Sequence, residues 1–150
     1  MALPTQFELG TDGARTIVAG VDGSEQSLRA ASFAAGWARR DGSALVCVYV
    51  QRWHAAASQD PHAAMICEQG EREVVAKLRR DLLDAQTRWG VRAELVVRRG
   101  DPTSELAKVA DEVRADSVVV GRSTKVGHER LGSTGGKLIR AGRWPVTVVP

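Results

Sequence analysis

A chain of 150 residues with 21 Lys and Arg against 18 Asp and Glu has a net charge of +3, and both signs are interspersed along it. That length fits one ordinary domain able to bury a core without disulfides or metal, and so small a basic excess does not argue for a nucleic-acid partner. No apolar run approaches the ~20 residues needed to span a bilayer, while Cys47 and Cys67 stand in neither a CxxC pair nor a Cys/His ligand spacing, which excludes a disulfide framework and fits a reducing, cytoplasmic setting.

Met1 to Ala14 lacks the basic start and apolar core of a signal peptide and reads as a loose leader, with the domain proper over 15–150. Arg15 to Val21 is a short β-rich run that stops at Asp22-Gly23-Ser24, a turn joined to a helix cap. From Ser24, Leu28, Ala31, Ala35 and Ala38 recur at helical spacing up to Arg39, Arg40 and Gly42, with Phe33 and Trp37 on the flanks. So small an apolar face predicts a helix lying close on a sheet. Ala44 to Val50 is apolar on both faces and reads as a central strand.

Gln51 to His62 is irregular, and its two histidines, His54 and His62, have no third ligand at metal spacing. Glu71 to Trp89 is an amphipathic helix with Val74, Val75, Leu78, Leu82, Ala85 and Trp89 on one side and Glu73 paired with Lys77 on the other. Val91 to Arg98 alternates apolar and charged residues, the pattern of an edge strand with one wet face. Asp101 as N-cap and Pro102 at the first helical position open a third helix, whose stripe is Leu106, Val109, Ala110 and Val113.

The last stretch, Ala115 to Pro150, holds a strand, a loop, a helix and a strand. Ser117 to Val120 is β-branched and buried in type, and it ends at Gly121. A polar loop with Arg122, Ser123, Thr124, Lys125, Gly127, His128 and Arg130 then reaches Gly132, Ser133 and Thr134, where a helix begins and runs to about Ala141. Free N–H groups at a helix start and close-wrapping glycines suit an anion, and a plain capping Ser133 suits the same residues. Gly135 and Gly136 each cost a helix about 1 kcal/mol against alanine, which a frayed first turn, close packing or a ligand would explain. Val146 to Val149 is the final strand, after Trp144 and Pro145.

Strands alternating with helices throughout predict an α/β fold, a parallel sheet with helices on both faces and a ligand crevice at the carboxyl ends of the strands. The chain has no GxGxxG fingerprint, Walker A sequence, GxSxG elbow or HExxH pair. His128 as a proton donor beside Asp22 is weighed against a solvated loop histidine, and the latter is preferred.

Val18 to Ser24 at the first strand, Ala115 to Gly121 at the fourth, and Leu131-Gly132-Ser133 followed by Pro145 to Val149 together resemble the universal stress protein family, in its single-domain bacterial form. The resemblance covers Arg15 to Pro150. It implies a five-stranded parallel sheet of order 3-2-1-4-5, adenine nucleotide alpha hydrolase-like, with its switch point between strands one and four. It also implies a stress-response regulatory protein whose ligand is ATP, AMP or another adenine nucleotide, which Mg can accompany.

Carried over by position, Asp22 beside Gly20 and Val21 meets the ribose, and backbone around Val50 holds adenine. Val120, Gly121, Arg122, Gly127, Gly132, Ser133 and Thr134 border the phosphates. The family pattern places a second glycine where Thr124 stands, and the spacing to Gly132, residues 125–131, is shorter than the pattern has. The branch of the family without the complete glycine set supplies the alternative, a dimeric interaction protein that binds no nucleotide. Either form implies a homodimer through Val146, Thr147, Val148 and Val149, no nucleic-acid or membrane partner, and at most weak ATP hydrolysis.

Overall fold

Five apolar runs pair side by side in the computed structural model, which describes residues 16–52, 59–123 and 134–150. The expected leader lies outside these residues. In chain order the elements are β1 (Thr16–Val21), α1 (Glu25–Asp41), β2 (Ala44–Gln51), α2 (Pro61–Trp89), β3 (Arg92–Arg99), α3 (Pro102–Glu112), β4 (Ser117–Gly121), α4 (Thr134–Ala141) and β5 (Val146–Val149). All strands are parallel, in the order β3-β2-β1-β4-β5. The chain therefore winds outward from β1 through β2 to β3, then returns to the other side of β1 and winds the opposite way. Right-handed crossovers put α1 and α2 on one face and α3 and α4 on the other.

The pleat divides the core accordingly. Ile17, Ala19 and Val21 face α1 and α2 with Leu45, Cys47, Tyr49 and Leu78. Val18, Val46, Val48, Val118 and Val120 face the other way, against Leu106, Val109, Ala110, Leu138 and Trp144. Helix α1 lies close on the sheet because Ala30, Ala34 and Ala38 are wholly buried. Its buried row is Ser27, Ala30, Ala34 and Ala38, which shares Ala38 with the expected row, while the expected Leu28, Ala31 and Ala35 are partly buried and pack against the same core. A helix so rich in alanine has no bulky stripe to fix its rotation from sequence.

Three further differences concern α2. It begins at Pro61 rather than Glu71, with Asp60 as N-cap accepting the His62 N–H at 2.9 Å. Trp89, placed on the core side, is 64% exposed at the helix end. Lys77 pairs with Asp81 at 2.5 Å, and Glu73 accepts from Gln69 instead. On β3, Val96 packs against the second core, so the strand's expected wet face is partly covered; β3 and β5 are the sheet edges. Among the described residues no helix is long and apolar enough to cross a membrane.

The feature that makes a site is where β1 and β4 part. They pair from Ile17–Ser117 to Ala19–Val119 and no further, whereas β1 continues on β2 to Val21–Tyr49 and β4 continues on β5 to Gly121–Val149. The Arg122 N–H extends that second ladder, donating to the Val149 carbonyl at 2.8 Å. The two strands lean apart at their carboxyl ends and open a crevice.

Candidate functional site

Beyond Ala19 and Val119 the crevice widens into a cleft of about 650 Å³. Its floor is strand backbone and apolar side chains: Gly20 and Val21 from β1, Val48 and Val50 from β2, Val120 and Gly121 from β4, and Leu106 from α3. A Cβ on Gly20 would stand 3.1 Å from Leu106 Cδ2, so the glycine leaves that floor to leucine. Three helix starts border the rim, α1 at Ser24, α3 at Asp101 and Pro102, and α4 at Thr134 and Gly135. Each presents the positive end of its dipole to the same space.

Asp22 is fixed by the first turn of α1. Its carboxylate Oδ1 accepts the Ser24 N–H at 2.9 Å, and its own N–H donates to Ser27 Oγ at 3.1 Å. Ser24 in turn caps the helix, accepting the Ser27 N–H on Oγ at 3.2 Å and the Ser27 hydroxyl on its carbonyl at 3.0 Å. Partial burial pushes the Asp22 carboxyl up, but the hydrogen bonds from Ser24 and Ser27 and the charge of Arg52 outweigh it and leave it below its ordinary value. Asp101 is likewise held down, by the Ser104 N–H and hydroxyl, both at 2.9 Å from Oδ2, with Lys137 and Arg52 adding to them against a smaller effect of burial. Both carboxylates are ionised at neutral pH.

Gly121 is needed for another reason. A Cβ there would lie 2.6 Å from the Gln26 carbonyl carbon and oxygen and 2.9 Å from the Ser27 nitrogen. Only glycine lets the end of β4 approach the first turn of α1, and that approach sets Asp22 opposite Gly121 across the crevice.

Of the residues expected at the site, Gly20, Val21, Asp22, Val50, Val120, Gly121, Arg122 and Thr134 all line this one cleft. Gly127, Gly132 and Ser133 lie outside the described residues, as do Thr124, Lys125, His128 and Arg130. The cleft also takes in residues the sequence reading passed over: Gln26, Arg52, Asp101, Thr103, Leu106 and Lys137. The signal for the α3 group was present, because Gly100-Asp101-Pro102 follows β3 at the sheet's carboxyl end. Asp60 and His62 open α2 and are not among the cleft residues, and His54 lies outside the described residues. Cys47 is buried in the core that faces α1 and α2, its thiol pushed up to about 12 by that burial, and it is not among the cleft residues. Among the described residues no three His, Cys, Asp or Glu side chains gather as metal ligands.

Arg52, Arg122 and Lys137 face Asp22 and Asp101 around the opening, so the described lining is positive by one charge before the helix dipoles are added. An apolar floor below a rim of N–H groups and cations suits a ligand with a flat apolar part and an anionic part.

The universal stress protein family's sequence profile matches residues 13–150. The chain is 29% identical over 143 residues to the universal stress protein MJ0531 of Methanocaldococcus jannaschii, which spans 90% of this chain and 81% of that one. Among solved structures, a universal stress protein in complex with cAMP is 27% identical with a TM-score of 0.70, covering 91% of this chain and 97% of that one. The universal stress protein from Archaeoglobus fulgidus in complex with dAMP is 19% identical with a TM-score of 0.58, covering 92% and 98%, a likeness of fold alone.

Proposed function

Because this chain belongs to the universal stress protein family, we propose that it is a stress-response regulatory protein that binds an adenine nucleotide, ATP or AMP, in the cleft between β1 and β4. The observation behind this reading is the meeting of Asp22, Val50 and Gly121 at one switch-point cleft with cationic residues on its rim. The similarity to a relative in complex with cAMP supports the same ligand class.

In this reading Asp22 accepts the ribose hydroxyls, and backbone at Val50 meets the adenine edge. The phosphates lie toward Gly121, Arg122 and Thr134, with Gly127, Gly132 and Ser133 completing their surroundings and Mg accompanying a triphosphate. Calorimetric titration with ATP, ADP, AMP and cAMP tests it. Saturable heat with at least one of them is expected, and none at millimolar ligand overturns the reading.

We also propose a homodimer, in the cytoplasm, joined through β5. Among the described residues this strand pairs only with β4, and Val148 on it is 45% exposed, beside an α4 whose Ile139 is 55% exposed. An apolar edge of this kind is ordinarily paired or covered, and a second copy's Val146 to Val149 is its natural complement. Sedimentation should give a dimer at micromolar concentration and a monomer for Val148→Lys; a dimer in both would refute β5 as the joint.

A further inference from the structure

Val48 and Val50 share one face of β2, since alternate residues of a strand do so, and Arg52 follows directly after the strand's end at Gln51. All three line the cleft. Val48 is buried, Val50 half-buried and Arg52 exposed, so this stretch climbs from the floor to the rim and ends in a guanidinium. The rim is anchored there, because the Gly100 N–H donates to the Gln51 carbonyl at 3.0 Å and ties the end of β2 to the turn before α3.

Asp22 and Asp101 line the same cleft as Arg52, and the arginine's charge acts on both. Neither is its ion-pair partner among the described residues. Each carboxylate is engaged with its own helix start, Asp22 with Ser24 and Asp101 with Ser104. The guanidinium therefore stands at the opening of a cleft whose two carboxylates are each engaged elsewhere. Planar guanidinium groups stack on aromatic rings, and a lysine ammonium offers no such plane.

We propose that Arg52 is the base-stacking residue of the cleft, lying on the outer face of a bound purine whose inner face rests on the floor of Val48 and Leu106. This rests on the adenine reading above, which puts the base beside Val50. It extends that reading by assigning recognition of the base to a side chain at the end of β2, in addition to backbone.

Titration of adenosine and of AMP into the wild type, Arg52→Gln and Arg52→Lys separates stacking from phosphate attraction. Arg52→Gln should weaken adenosine and AMP alike, by about tenfold, and Arg52→Lys should recover adenosine binding only in part. Because Arg52 is exposed at the rim, the unliganded melting temperatures of all three should agree. A loss confined to AMP, full recovery of adenosine binding in Arg52→Lys, or no loss at all would each overturn the assignment while leaving the adenine site standing. A wild type that binds neither adenosine nor AMP overturns the adenine reading and this assignment together.

Discussion

Gly121→Val should cost about 3 kcal/mol of stability and lower the melting temperature by roughly 10 °C. The reason is the kind of atom a side chain would meet. At 2.6 Å its Cβ would press on the Gln26 carbonyl carbon and oxygen, and at 2.9 Å on the Ser27 nitrogen. These are backbone atoms in the first turn of α1 and cannot rotate aside as a side chain would. Relief requires moving either the end of β4, which is laddered to β5 through Gly121–Val149, or the start of α1, which is held by Ser24 and Ser27. Both motions displace Asp22 from its place across the crevice, so binding should fall with stability. A melt within about 2 °C of wild type, less than 1 kcal/mol for a domain of this size, would show that the approach is looser than the geometry gives.

Asp22→Ala should instead separate binding from folding. The carboxylate is ionised at neutral pH and exposed at the opening, and the hydrogen bond that it accepts from the Ser24 N–H lies in a solvent-accessible turn. Losing that bond leaves a donor that water can satisfy, so the fold is little affected. A ribose hydroxyl that donates to the carboxylate has no such substitute inside the cleft. Hydrogen bonds to a charged group contribute about 2 kcal/mol, so affinity for AMP should fall roughly thirtyfold.

Sequence and structure agree best where one residue type has one mechanical task. Asp101-Pro102 opened α3 as expected, with Asp101 accepting from Ser104. The same pair at Asp60-Pro61 opens α2, yet there the helix was expected only from Glu71. The residues between do not repeat an apolar stripe toward the core: Met65 and Ile66 are exposed, and Leu78 is the one residue of α2 that is fully buried. Hydrophobic periodicity therefore began too late to mark the start, and the cap outranked it. In α1 the expected face does pack on the core, but the most deeply buried positions lie partly one residue before it, because alanines on several sides give the period little to lock onto.

At the site, Asp22 and Gly121 were legible as strand endings at turn signals. Arg52 and Lys137 were not, and Asp101 was legible only as the N-cap of α3, since the three come from separate parts of the chain. Only the strand order, which alternation alone left open, sets the end of β2 beside β1 and the end of β3 beside β2. The parting of β1 and β4 after Ala19 and Val119 is likewise a matter of sheet twist and winding that no local pattern records.

The most direct measurement is a paired calorimetric titration of AMP into the wild-type protein and Asp22→Ala, with unliganded melts run alongside. The expected result is saturable binding by the wild type, roughly thirtyfold weaker binding by the variant, and melting temperatures that agree. Equal affinity in the two proteins would contradict the assignment of the nucleotide to the cleft between β1 and β4.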